Sequence, residues 1–275
     1  MRIMISADME GATGVTWTAD VEIGTPEWQR LRPVFTGDVN ACVTGLFDGG
    51  ATSVLVNEAH SSQRNVLLEE LDTRAVMLTG KHKPLSMMQG VDSGIDGVVF
   101  LGYHTGAGVD GVLSHTYLPN QITGVWLDGV HASEGRLNAA LAHEHGVPVL
   151  LVTGDDLTCD DAHSYAPDAQ SVAVKECVSR YAAICKPPTV TAAEITAAAA
   201  TAMTRAGRTP GTASPHRIEV EFDAAHLAAA TAVIPTVSQL DIRRVGFDAD
   251  SMTEAMKAFK VVTAIASGAM EGSYG

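Results

Sequence analysis

Arg2-Ile3-Met4-Ile5-Ser6-Ala7-Asp8-Met9-Glu10-Gly11 is a short, mostly apolar run that leads straight into two carboxylates. The same shape recurs twice. Ser53-Val54-Leu55-Val56-Asn57 leads into Glu58-Ala59-His60, and Gly97-Val98-Val99-Phe100-Leu101-Gly102 leads into Tyr103-His104. Runs this apolar lack the in-out alternation of a half-exposed strand, so they predict strands buried on both faces of a parallel or mixed central sheet. A fourth strand is predicted at Val147–Val152, followed by Gly154-Asp155-Asp156 and a helix. Helical patterns lie between the strands. Glu27–Leu46 carries a helix or a helix pair broken near Pro33. Glu134–His145 places Leu137, Ala140 and Leu141 on one face, with Ser133 as N-cap and Gly146 as the stop. The predicted class is α/β, with a central, mostly parallel sheet flanked by helices.

The composition shifts near Lys186-Pro187-Pro188. Thr191 and Glu194 have capping-box spacing and open an Ala-rich helix predicted to reach Ala206. The Gly/Pro/Ser-rich stretch 207–215 follows as a linker. A strand (217–222), a helix (224–233), a strand pair (240–247) and a helix (252–267) come next, the last with a capping box at Ser251 and Glu254. This ordering predicts a catalytic α/β domain over 1–190 and, over 191–275, a helix, a linker and a smaller C-terminal α+β subdomain.

The 275 residues carry 18 Lys+Arg against 32 Asp+Glu, a net charge of −14, with 46% hydrophobic and 18% charged residues. Such a chain can bury a core, and its charge argues against nucleic-acid and anionic-membrane partners. The run Arg2–Ile5 is too short for a signal-peptide core, and no uninterrupted apolar stretch reaches the roughly 18 residues that a membrane span needs. Cys42, Cys159, Cys177 and Cys185 are scattered without CxxC spacing, which fits reduced thiols and a cytoplasmic location.

The chemistry-bearing residues fall at the ends of strands. Asp8 and Glu10 leave the first strand on one face, His60 and His104 close the second and third, and Glu134 starts a helix after the turn 128–133. In open α/β sheets the carboxyl ends of the strands form the ligand crevice. A mixed set of imidazoles and carboxylates suits zinc, manganese or cobalt. Three ionised carboxylates would leave a single divalent ion net negative. Two divalent ions sharing one hydroxide would balance, and Asp8 is then the candidate bridge between Glu10 and Glu134. Each residue also has an ordinary reading, as a solvated turn residue or a helix-dipole partner. Gly11 and Gly102 fit either a close backbone approach or simple turns. His143-Glu144-His145 ends a helix and splays its side chains to different faces, so it is not assigned as a site. Asn57 and Asn138 are candidates for supporting the ligands.

Ser6-Ala7-Asp8-Met9-Glu10-Gly11, Val56-Asn57-Glu58-Ala59-His60-Ser61, Lys83-Pro84-Leu85-Ser86-Met87, Phe100-Leu101-Gly102-Tyr103-His104, Ser114-His115, Ser133-Glu134-Gly135-Arg136-Leu137-Asn138 and Gly154-Asp155-Asp156 occur in that order. Together they resemble the DppA-like zinc-dependent D-aminopeptidase family over nearly the whole chain. The resemblance implies two zinc ions per subunit, held by Asp8, Glu10, His60, His104 and Glu134, and a catalytic role for His115. It also implies a short-peptide substrate and a homo-oligomeric ring, with a decamer as the candidate size, whose sites open on an inner channel. The segments 12–17 and 116–124 depart from the family pattern and border the substrate.

The reaction these residues imply is removal of an N-terminal residue, with a D-residue as the family's preference, by water activated between the metals. His115 lies in a Gly-rich loop eleven residues after His104. It serves as general acid to the leaving amine or as donor to the oxyanion, in place of the nucleophile role described for the family. Two other readings compete. A phosphatase-like dinuclear hydrolase would need Arg or Lys near the anion, and beside the motifs only Arg136 and Lys83 qualify. A non-catalytic peptide- or metal-binding protein would bind without turnover.

Overall fold

The computed structural model describes residues 1–270. The strands are β1 (Arg2–Ala7), β2 (Ser53–Glu58), β3 (Ala75–Leu78), β4 (Gly97–Leu101), β5 (Ile122–Leu127), β6 (Val130–His131), β7 (Val149–Asp155), β8 (Gln170–Ser179), β9 (Ala182–Cys185), β10 (His216–Phe222), β11 (Ser238–Gln239) and β12 (Arg244–Ala249). The helices are α1 (Pro26–Asp48), α2 (Glu134–Glu144), α3 (Asp156–Tyr165), α4 (Pro188–Ala202), α5 (Ala225–Thr231) and α6 (Met252–Gly268).

The first sheet has the order β3-β2-β1-β4-β7-β8-β9 and is parallel except for β9, which returns antiparallel to β8. The three apolar runs are its central strands, and β1 is buried on both faces from Ile3 to Ala7. Ile3, Ile5 and Ala7 pack toward α1 and α4, while Met4, Val98 and Phe100 pack into the core shared with α2, α6 and the second sheet. β2 lies on one side of β1 and β4 on the other, so the topology reverses between β1 and β4, where open α/β sheets form a crevice.

The second sheet, β11-β12-β10-β5-β6, is antiparallel. It draws β5 and β6 from the segment before residue 190, so this layer crosses the boundary that composition suggested. The turn joining β5 to β6 is Asp128-Gly129, both at positive φ (53° and 80°), the geometry that a tight hairpin favours.

Several element ends differ from the sequence reading. Glu27–Leu46 lies within one continuous helix, because Pro33 is exposed and the Gln29 carbonyl it leaves unbonded is also at the surface, open to water. Thr191 caps nothing. Pro187 is the N-cap and Pro188 the first helical residue, while the Thr191 hydroxyl donates to the Pro188 carbonyl and accepts from Thr13. That helix ends at Ala202, with one 3-10 turn to Arg205. Ser133 and Ser251 do cap, accepting from the amides of Arg136 and Glu254. Within 240–247, residues 240–243 are loop, and the strand pair is the two-residue β11 with β12.

Candidate metal centre

Register brings the strand ends level. Ala7 pairs with Glu58 on one side and Leu101 on the other, and the ladder continues as the Ala59 amide donates to Ala7 O and the Asp8 amide to Leu101 O (2.8 Å each). Asp8, His60 and His104 therefore emerge on one rim. The chain after β1 presses on the chain after β4. A Cβ on Gly11 would lie 1.8 Å from Tyr103 O, and one on Gly102, at φ +69°, would lie 2.2 Å from Asp8 O. Of the two readings open for these glycines, close backbone approach is the one the fold uses. Glu134 enters from the first turn of α2, its Oε1 accepting the Tyr117 amide at 2.8 Å.

Asp8, Glu10, His60, His104, His115 and Glu134 are all buried, and their ligand atoms form three overlapping groups: Asp8-Glu10-His60, Asp8-His104-Glu134 and Glu10-His104-His115. His60 Nδ1 lies 2.8 Å from Glu10 Oε2 and 3.7 Å from Asp8 Oδ1. His104 Nε2 lies 3.5 Å from Asp8 Oδ2 and 3.8 Å from Glu134 Oε1. His115 Nε2 lies 3.6 Å from Glu10 Oε1, and its ring stacks on His104 at 4.2 Å.

The other nitrogen of each imidazole faces a backbone carbonyl: His60 Nε2 to Val21 O (2.9 Å), His104 Nδ1 to Thr105 O (2.9 Å) and His115 Nδ1 to Leu113 O (2.8 Å). A carbonyl can only accept, so each ring carries its proton there and, when neutral, turns a lone pair toward carboxylate oxygens. Lone pairs facing lone pairs repel unless a cation lies between them. Asp8 Oδ2, Glu10 Oε2 and His104 Nε2 are buried without a hydrogen bond of adequate geometry. The donor set therefore fits divalent metal, and Asp8, Glu10 and His104 are each common to two of the three groups.

The electrostatics agree. Burial raises Asp8 to about 6, helped by the charge of Glu10, and raises Glu134 to about 7 against the pull of His104. Burial also pushes Glu10 up, yet the imidazoles around it, His60 foremost, hold it well below the usual carboxylate range. Burial pulls His60 and His104 down, but the carboxylates outweigh it and place them at about 9 and about 10. Burial and the neighbouring His104 charge lower His115 to about 3, so this ring is neutral.

Supporting groups lie beneath. Tyr103 OH sits between Ser6 Oγ (2.7 Å) and Asn138 Nδ2 (2.9 Å), and Asn57 bonds Met87 O and Lys83 Nζ. Glu58 accepts the amides of Asn65 and Val66 and shapes the loop after His60. Sequence reading missed Lys175. Its ammonium is buried and donates to Glu10 O (2.7 Å), Ala12 O (3.0 Å) and Val15 O (2.7 Å), pinning the loop that carries Glu10. His143-Glu144-His145 is structural, because Glu144 accepts the amides of Met252 and Thr253 and caps α6. Arg136 points away to Ser164 Oγ. The centre lies in a cavity of about 710 Å³.

A family model described as D-aminopeptidase matches residues 1–261. The chain belongs to the D-aminopeptidase family. It is 33% identical over 269 residues to a D-aminopeptidase of Bacillus subtilis (strain 168), covering 97% of this chain and 98% of that one. Its fold is similar, with a TM-score of 0.93, 31% identity and coverage of 97% and 98%, to the Zn-dependent D-aminopeptidase DppA from Bacillus subtilis, a self-compartmentalizing protease. The match spans both sheets and every segment that supplies the cluster, so this family member carries its cluster on a fold its relatives share.

Proposed function

We propose that the chain is a zinc-dependent aminopeptidase that releases N-terminal D-residues from short peptides. The observation that carries this is the pair of buried three-ligand groups Asp8-Glu10-His60 and Asp8-His104-Glu134, in a chain of the D-aminopeptidase family. Asp8, Glu10, His60, His104 and Glu134 would hold two zinc ions. When bound, the ions supply water of lowered pKa and polarise the scissile carbonyl.

The chain's own residues supply orientation and proton transfer. Val21 O, Thr105 O and Leu113 O fix which nitrogen each imidazole presents. His115, its Nδ1 held by Leu113 O and its Nε2 facing inward, would first accept a proton at Nε2. The same proton then passes from Nε2 to the leaving amine. The donor role expected for His115 therefore follows an acceptor role. The cavity, of about 710 Å³, has room for a peptide of a few residues.

The subunits are proposed to assemble as a homo-oligomeric ring, a decamer by the family resemblance, consistent with a relative described as self-compartmentalizing. Among the described residues no helix is long and apolar enough to cross a membrane, and four free cysteines accord with a cytoplasmic location.

Metal analysis with a panel of D-Ala and L-Ala peptides on the unaltered protein and Asp8→Asn tests the reading. About two zinc per chain and turnover of the D-peptides are expected. Asp8→Asn lowers the zinc content and cuts turnover by more than about a hundredfold, because even groups that only support ligands are worth about 10–100-fold. Full activity with one zinc or none would contradict it, as would phosphate-ester turnover without peptide turnover.

A further inference from the structure

The cavity is electrically divided. Its floor holds Asp8, Glu10 and Glu134, and of the carboxylates lining it outside that cluster there is only Glu22. Its walls carry Lys81, Lys83, Lys260 and Arg180. The chain has six lysines, at 81, 83, 175, 186, 257 and 260, so half of them line this one cavity. That is unusual placement in a chain of net charge −14.

Some cations elsewhere in the chain are neutralised in place. Arg74, Lys186, Arg205, Arg217 and Arg244 are each paired with a carboxylate. Among the described residues, Lys81 and Lys260 have no carboxylate partner. Lys83 is occupied by Asn57 Oδ1 and Glu58 O, and Lys260 Nζ donates to the backbone carbonyl of Lys83. Lys260 is drawn below the usual lysine range by its partial burial and by the charge of Lys81 nearby. Like charges gathered without a counter-ion on the wall of a cavity give it a positive potential that an anion can neutralise. A short peptide is a zwitterion, with an ammonium at one end and a carboxylate at the other. An acidic floor under a basic wall matches that dipole.

We infer that Lys81 and Lys260 bind the C-terminal carboxylate of the peptide whose N-terminal end is processed at the floor, so that the enzyme selects free-acid peptides short enough to span the two. The inference rests on the aminopeptidase reading above and makes it more specific. Lysine suits this task as a mobile point charge that can follow carboxylates at different depths.

The test compares D-Ala-D-Ala with its C-terminal amide on the zinc-loaded protein at low ionic strength. The free acid is expected to have the higher kcat/KM by about tenfold, mainly through KM, which is modest because the lysines stay partly solvated. Raising the salt to about 1 M should shrink that ratio, because partly exposed charges are screened. In Lys81→Ala/Lys260→Ala the ratio should fall to about one, and in Lys81→Arg it should survive. Equal kcat/KM for acid and amide in the unaltered protein overturns the inference and leaves the aminopeptidase reading standing. A ratio that persists in the double variant does the same. Hydrolysis of neither peptide overturns the aminopeptidase reading itself, and the inference with it.

Discussion

Removing divalent ions should make the stability of this protein fall between pH 7 and pH 9, and restoring zinc should abolish that fall. In the metal-free chain, burial disfavours charge on His60 and His104, but Glu10 and Asp8 beside them prevail and raise the two rings to about 9 and about 10. A folded-state value above the unfolded 6.5 stabilises the folded state fully below pH 6.5 and is lost as the pH rises through the folded value. At about 1.4 kcal/mol per pH unit, each ring gives up about 2 kcal/mol between pH 7 and 9, or about 4 kcal/mol together. At about 2 °C per kcal/mol for a chain of this length, the two rings' share lowers Tm by about 8 °C. Bound zinc takes the place of those protons, so the loaded protein lacks this loss.

Lys83 and Lys175, both lowered to about 8 by burial, work in the opposite direction over the same interval. Their contribution is common to both forms. The diagnostic quantity is therefore the Tm of the zinc-loaded protein minus that of the chelated protein, read by circular dichroism at pH 7, 8 and 9. The difference should widen by about 8 °C. A difference that stays constant within about 2 °C, or narrows, refutes the idea that these two imidazoles carry the protons that metal displaces.

Lys175→Met should destabilise the fold by about 3 kcal/mol or more in urea unfolding, because three buried carbonyls lose their only shared donor. It should also weaken zinc retention through the Glu10 loop. Gly11→Ala places a methyl carbon 1.8 Å from Tyr103 O, so expression is expected to yield little folded protein. Tyr103→Phe should lower stability by about 1–2 kcal/mol, while leaving the zinc content at the unaltered value.

The parts of the fold legible in the sequence are those where burial on both faces overrides every other signal. β1, β2 and β4 are the central strands, and their apolar runs admit few other readings. β3 is four residues long, half-exposed and at a sheet edge, and its apolar run Ala75–Leu78 is too short to mark a strand on its own. β8 breaks its apolar residues with polar pairs and carries a buried Lys175, against the usual pattern. β5 holds Gly124, whose open space is filled by the Trp126 ring of its own strand, a contact invisible before folding. The break expected at Pro33 is absent because exposure lets water take up the unbonded carbonyl, and exposure is a tertiary property.

The centre was legible for a related reason: strand ends are fixed once the strands are, so carboxylates and histidines placed there must meet. What gives those residues a defined chemistry has no side-chain signature at all. Val21 O, Thr105 O and Leu113 O come from three separate stretches of backbone, and every residue type carries a carbonyl. They nonetheless decide that each imidazole turns its other nitrogen inward, where a proton or a cation can lie between it and the carboxylates. The same logic explains Lys175, whose role is set by three carbonyls and by nothing adjacent in sequence. Which side chains gather is thus written in the sequence, while their orientation belongs to the backbone, and it is orientation that lets a buried acid–base cluster receive a cation.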